Sequence, residues 1–332
     1  MPGMRLNQSP CPAWVFILFL LAGIAPAAAG QPSEPLPAPL RVGVFNGQGA
    51  VPGCVSDAME ALRLDGGIRA REIGASEIMT GGLETLDVIV FPGGSGSRQY
   101  GDLGQLGAAR VRAFVQTGGG GAVGICAGAY LLSDTPEYAC LRLSPLQAID
   151  REHDERGHGL ITCRLEEAGR PWLPELASAD PFFVYYYEGP LLVPAAGSPE
   201  PVEVLARMET DVHLENGAPS GLMPGKPLLA RHRAGHGRVF LCVGHPETTP
   251  GLRWLVPKMV RWAAGRVPVS YPAGAVRPSI HQKALLFDAP QRQEEAALGQ
   301  KLLYGDDAAK CAAIRRLVEL RCWPARLWIP GM

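Results

Sequence analysis

From Leu40 onward, short β-branched apolar runs alternate with stretches of helical spacing, and this alternation constrains the fold of the 332-residue chain more than any other feature. Leu40 to Phe45 (LRVGVF), Ile68 to Ile73 (IRAREI), Leu86 to Phe91 (LDVIVF) and Ala122 to Ile125 read as strands, each short and all but the second mainly apolar. Val55 to Leu62, Gly104 to Thr117 and Ala127 to Leu132 read as helices; the second sets Leu106, Val111, Phe114 and Val115 against Arg110, Arg112 and Gln116. Strands that are apolar throughout and separated by helices are buried on both faces, so an α/β fold with a doubly wound, mostly parallel sheet is predicted.

Between Asp134 and Gly225 the pattern turns β-rich and irregular, with candidate strands at Ala148 to Asp150, Gly159 to Arg164, Phe182 to Tyr187 and Val202 to Met208. The sheet resumes with Leu228 to His232 and Arg238 to Val243, and a helix follows from about Gly251 to Ala264. Val267 to Arg277 is Pro-rich and reads as a linker, while Glu294 to Leu303 and Asp307 to Leu320 read as a helical pair, the second with an Ile314, Leu317, Leu320 stripe. This gives one domain over 40–265 with a β-rich insertion, then a linker and C-terminal helical extension over 266–332.

The N-terminus predicts export. Arg5 precedes the uncharged run Ala13 to Ile24, and Pro26 to Gly30 supplies small residues for a signal peptidase, so 1–29 reads as a signal peptide and 30–39 as a Pro-rich leader. A secreted or periplasmic protein is expected; a retained N-terminal anchor is the competing reading and the one route to a membrane. With 31 Lys+Arg against 32 Asp+Glu, the chain has no basic surplus for nucleic acid. Of eight cysteines, Cys11 leaves with the signal, and an odd number enters an oxidising space, so at least one thiol is expected unpaired or paired between chains.

Three segments carry chemistry. Gly124-Ile125-Cys126-Ala127-Gly128-Ala129-Tyr130 is a G-x-C-x-G elbow joining a strand to a helix. Small residues on both sides permit a sharp turn that presents the Cys126 side chain above the sheet, where the helix N-terminus favours thiolate. Phe91-Pro92-Gly93-Gly94 is a turn after an apolar strand, and the backbone N–H groups of Gly93 and Gly94, with that of Ala127, make a candidate oxyanion hole. His245-Pro246-Glu247 follows the strand Arg238 to Val243 and supplies an imidazole base with a carboxylate to orient it. All three lie at the C-terminal ends of predicted strands, where open α/β sheets place their sites.

These segments resemble the class I glutamine amidotransferase-like proteins over about Leu40 to Gly265. The resemblance implies a flavodoxin-like sheet, Cys126 as nucleophile, and His245 and Glu247 as base and orienter. Within that superfamily, Val44 to Gly49 (VFNGQG), Pro52-Gly53-Cys54, FPGG, GICAGAY, Tyr186 to Pro190 (YYEGP) and GHPE are most similar to the biotin-protein ligase N-terminal domain family, which includes stand-alone secreted bacterial members. No biotin-ligase catalytic domain accompanies them.

Tyr130 stands where glutamine amidotransferases usually carry the Gln of G-x-C-x-G-x-Q, and an exported chain lacks a cytosolic synthase to receive ammonia. The reading is therefore a thiol hydrolase acting on an amide or related acyl group of a small-molecule or peptide-like substrate, with no cofactor and no metal. Its alternative is a non-catalytic module that binds a small molecule or cell-envelope component. Asn46, Tyr130, Tyr187 and Glu188 are candidate pocket residues. Gly47, Gly49 and Gly53 have the wrong spacing for a dinucleotide loop. The groups His153-Asp154-Glu155 with His158, and His232 with His236, read as polar turns rather than metal ligands. With Cys126 kept as a thiol, Cys140–Cys163, Cys311–Cys322 and Cys54–Cys242 are candidate disulfides.

Overall fold

A computed structural model describes residues 38–177, 180–195, 201–249, 251–271 and 289–319. The expected signal segment 1–29, the leader up to residue 37, most of the linker, and Cys322 lie outside these residues.

The first half of the domain alternates as read. The strands are β1 (Leu40–Phe45), β2 (Ile68–Ile73), β3 (Val88–Phe91) and β4 (Gly121–Ile125). The helices are α1 (Pro52–Leu62), α2 (Ala75–Met79), α3 (Gly96–Gln116) and α4 (Ala127–Leu132). There follow β5 (Leu146–Ile149), β6 (His158–Leu165), α5 (Gly169–Trp172), α6 (Pro174–Ala177), β7 (Phe182–Tyr187), β8 (Leu191–Pro194) and β9 (Glu203–Met208). Then come β10 (Pro227–Ala234), β11 (Gly237–Cys242), α7 (Leu255–Ala263), α8 (Ala289–Tyr304) and α9 (Asp307–Glu319).

A nine-stranded sheet has the order β2-β1-β3-β4-β11-β10-β9-β6-β7. From β2 to β11 every neighbouring pair is parallel, and from β11 to β7 every pair is antiparallel. The β-rich insertion thus extends the parallel sheet instead of standing apart from it, while β5 and β8 form a separate two-stranded ribbon. β8 escaped sequence reading because only three residues, Leu191 to Val193, lie between Pro190 and Pro194, too few to show alternation. α3 starts at Gly96, earlier than the predicted Gly104, where the backbone takes φ 58° and ψ −175° and joins two helical pieces. Only glycine adopts such a conformation cheaply.

β3 and β4 are buried along their whole length, as strands covered by helices on both faces must be. α1 packs with α7, whereas α2, α3 and α4 pack together. Phe45, Phe91, Ile89, Val123 and Phe240 are fully buried along the strands, and each such side chain contributes about 1.5–3 kcal/mol. The C-terminal helices α8 and α9 pack on one another through Leu298, Ala313 and Leu317. Among the described residues no helix is long and apolar enough to cross a membrane.

Register decides where the chemistry meets. Phe91 pairs with Gly124 across β3 and β4, and Cys242 with Ile125 across β11 and β4. The three strands therefore end level, and the turn after β3, the elbow after β4 and the loop after β11 emerge side by side.

Candidate active site

The elbow is strained by construction. Cys126 has φ 52° and ψ −108°, outside the regions open to non-glycine residues, at a cost of about 1–3 kcal/mol that the surrounding packing must overcome. Its N–H donates to the Cys242 carbonyl at 2.8 Å, and its own carbonyl accepts from Ala129 at 2.9 Å, which fixes the turn from both sides. The flanking glycines are needed for close approach. A Cβ on Gly124 would lie 2.5 Å from the Gly128 carbonyl oxygen, and one on Gly128 would overlap the Phe91 carbonyl. The Cys126 thiol, 3.3 Å from the Tyr187 carbonyl oxygen, donates to it.

His245 is held just as firmly. Its N–H donates to the Tyr185 carbonyl at 2.7 Å, Thr249 Oγ1 donates to the His245 carbonyl at 2.6 Å, and the Tyr185 N–H donates to Thr249 Oγ1 at 2.9 Å. Nδ1 lies 2.7 Å from Glu247 Oε1, with both residues buried. Burial disfavours the imidazolium, but the neighbouring Cys126 thiol and Glu247 carboxylate outweigh it and hold the His245 pKa well above its ordinary value. The ring faces the same cavity as Cys126, and one of its nitrogens lies within 4.8 Å of Cys54 Sγ. Nε2, buried, completes no hydrogen bond of good geometry.

The turn after β3 is clamped to the loop after β1. Val51 N–H donates to the Gly93 carbonyl at 3.0 Å and Ser95 N–H to the Gly49 carbonyl at 2.7 Å. Gly94 has φ 136°, and a Cβ there would overlap the Gly49 carbonyl. Gly93 is equally constrained, since its Cβ would lie 2.8 Å from both Cys54 Sγ and His245 Cε1. Among the described residues, the amides of Gly93, Gly94 and Ala127 donate to no backbone carbonyl.

These groups surround a cavity of about 560 Å³ lined by Gly94, Cys126, Ala127, Tyr130, Tyr187, Glu188 and His245. Tyr130 is buried against Tyr138, with ring centroids 5.6 Å apart. Burial, reinforced by Glu155, Glu215 and Asp154, pushes the Glu188 carboxyl up to about 7. Asn46 does not belong to this set. Its amide donates to Glu72 Oε2 at 2.6 Å, because the chain leaving β1 turns that side chain toward β2.

Sequence reading missed Cys54, Asp154 and Glu155 as lining residues. The first of them carried a signal: Cys54 opens a helix at the C-terminal end of β1, on the same edge of the sheet as the elbow. The disulfides expected among the described cysteines are not formed, and Cys54, Cys126, Cys140, Cys163, Cys242 and Cys311 are all free. Cys140 Sγ donates to the Thr135 carbonyl, Cys163 is wholly buried on β6, and Cys242 Sγ donates to the Gly244 carbonyl, while Cys54 faces His245 instead of Cys242. The polar histidine groups stay with local partners. His153 Nδ1 lies 2.7 Å from Asp150 Oδ1, and His232 and His236 bond the carbonyls of Arg233 and Thr117.

The parallel half-sheet, the cysteine elbow after β4 and the histidine after β11 give the α/β arrangement expected from the resemblance to class I glutamine amidotransferase-like proteins. Residues 40–144 match the model of the family described as Biotin-protein ligase, N terminal. No curated protein matches the chain. Among solved structures, a ThuA-like protein from Parabacteroides merdae is similar at 15% identity and a TM-score of 0.49, over 72% of this chain and 99% of that one. The glutaminase domain of a Trypanosoma brucei CTPS with bound acivicin is similar at 11% identity and a TM-score of 0.45, over 70% of this chain and 96% of that one.

Proposed function

We propose that the protein is an exported thiol hydrolase that cleaves an amide or related acyl bond of a small-molecule or peptide-like substrate through Cys126, His245 and Glu247. One observation carries this reading: Cys126 is held at φ 52° in the elbow and faces the same cavity as an imidazole whose Nδ1 is bound by a buried carboxylate. A nucleophile, a base and an orienting group arranged in that sequence are the parts acyl transfer requires.

In the reaction, Nε2 of His245 takes the Cys126 proton as the sulfur attacks the substrate carbonyl. The amides of Gly94 and Ala127, assisted by Gly93, hold the resulting oxyanion. His245 then returns the proton to the leaving nitrogen or oxygen, the C–N or C–O bond breaks, and a thioester to Cys126 remains. Water, deprotonated by His245, attacks that thioester and releases the acid and the free thiol. Glu247 keeps Nδ1 protonated throughout, so that Nε2 is the atom that exchanges protons. Tyr130, buried in the wall beside the elbow, occupies the position of the glutaminase Gln, which favours acyl groups other than that of glutamine. The apolar run Ala13 to Ile24 and its small-residue boundary support export.

The free state of Cys126 and its proximity to His245 favour this reading over a binding module with an inert thiol. Alkylation with iodoacetamide at neutral pH, read by mass spectrometry, tests it. Cys126 is expected to label at least about tenfold faster in the wild-type protein than in His245→Ala. Equal rates would overturn the proposal.

A further inference from the structure

The cavity beside the nucleophile is unequal in charge. Cys126 Sγ lies 3.3 Å from the Tyr187 carbonyl oxygen, and the next residue, Glu188, takes φ 51° and lines the cavity together with Asp154 and Glu155. Among the described residues none of these three carboxylates accepts a hydrogen bond or forms an ion pair. Of the lysines and arginines described, only the exposed Arg98 shares the lining, and a fourth acid there, Asp57, already faces Arg253 at 3.7 Å. A second feature is independent of charge. Tyr185 lines the same cavity at 8% exposure, and its hydroxyl has no hydrogen-bond partner among the described residues. Buried polar atoms are nearly always satisfied, and a lasting exception points to a ligand. Burial pushes that phenol up to about 12, so it stays a neutral hydroxyl that accepts as well as donates.

We propose that the cavity selects acyl substrates that carry a primary ammonium group near the scissile carbonyl, with Glu188 as its counter-charge, the Tyr185 hydroxyl as a further acceptor, and Asp154 and Glu155 drawing the cation in from the rim. An ammonium offers three donors and no acceptor, which suits a wall of unpaired carboxylates and a phenol oxygen. The rings of Tyr130 and Tyr187 in the same lining also favour a cation. A hard divalent ion fits less well, since it needs six or so oxygen ligands and these rings supply none. Because Glu188 follows the residue whose carbonyl receives the Cys126 thiol, the ammonium lies close to the scissile bond. A substrate with a carboxylate at that place meets like charge and is rejected. The preference is local, because the whole chain has a formal charge of only -1. Naming the ligand an acyl substrate rests on the hydrolase reading; the selection of cations does not require turnover.

The test uses the full chain and two methanethiosulfonate reagents that differ only in charge, 2-aminoethyl (cationic) and 2-sulfonatoethyl (anionic), at a mildly alkaline pH where Glu188 is ionised. The rate of Cys126 labelling is read by mass spectrometry, and the cation-to-anion ratio is divided by the ratio for N-acetylcysteinamide in the same buffer, which removes the intrinsic difference between the reagents. The normalised ratio is expected to be at least about tenfold in the wild-type protein and to fall about fivefold in Glu188→Gln. The double variant Asp154→Asn, Glu155→Gln, changed at two exposed positions, is expected to lower it as well and serves if Glu188→Gln does not fold; circular dichroism checks each variant. A normalised ratio near one in the wild type, or one unchanged in the folded variants, would overturn the inference. A preserved charge preference beside equal iodoacetamide rates in wild type and His245→Ala would sink the hydrolase reading and leave the cation-selective cavity standing. Activated labelling of Cys126 without charge preference would do the reverse.

Discussion

His245 Nδ1 and Glu247 Oε1 lie 2.7 Å apart with a single proline between the two residues, and both are buried at the end of β11. So short a link places the carboxylate by local geometry, and its charge helps raise the His245 pKa. Glu247→Gln keeps the shape and removes the charge. It is expected to lower that pKa and slow iodoacetamide labelling of Cys126 at pH 7 by about tenfold or more. A labelling profile against pH that matches the wild type would show that Glu247 does not tune the imidazole.

The elbow glycines make a second prediction, about stability. A Cβ on Gly128 meets the Phe91 carbonyl with nowhere to go, so Gly128→Ala is expected to cost more than about 2 kcal/mol in urea unfolding. Gly101, in α3, has open space at its Cβ position, and Gly101→Ala is expected to stabilise by about 0.5–1 kcal/mol. Similar effects at the two positions would contradict the packing described around the nucleophile.

Glu188 links the cavity to pH. Its carboxyl titrates near 7 in the folded protein, raised from 4.5 by burial and by the nearby acidic groups, so the folded state binds its proton more tightly than the unfolded chain does. That preference stabilises the fold below about pH 4.5 relative to high pH, and it is lost progressively as pH rises from 4.5 to about 7. Relative to Glu188→Gln, wild-type stability should therefore fall across this window and stay level above it. Solvent screening of the half-buried group reduces the amplitude. A difference independent of pH would remove Glu188 as the titrating group.

Lys258 on α7 is almost fully buried, with Nζ 2.7 Å from both carboxylate oxygens of Glu175 and within 5.7 Å of the Trp172 and Trp254 ring centroids. Removing the counter-charge by Glu175→Gln strands the ammonium and is expected to cost about 3 kcal/mol. Lys258→Met combined with Glu175→Leu should recover much of that loss, since an apolar pair avoids the desolvation cost. Additive losses in the double variant, measured by urea denaturation, would count against this account.

Much of the fold could be read along the chain because its elements carry local signals. β1, β2 and β7 match the runs that announced them, and α4 occupies the predicted Ala127 to Leu132, since apolar β-branched runs and Gly-bounded turns act over a few residues. Local signals misled where chemistry was ambiguous. Gly104 reads as a helix start but lies between two helical pieces, and the short run Leu191 to Val193 between prolines conceals β8.

For the site, sequence by itself determined the unusual backbone of Cys126, through Gly124 and Gly128, and the His245–Glu247 contact, through their spacing. Only tertiary structure decided which residues join them. It brought Cys54 to His245, turned Asn46 away to Glu72, and left the six described cysteines unpaired, because each outcome depends on strands separated in the chain ending level on one edge of the sheet. A cysteine carries the same local pattern whether it staples, packs or faces an imidazole, and the sheet register determines which of these it does.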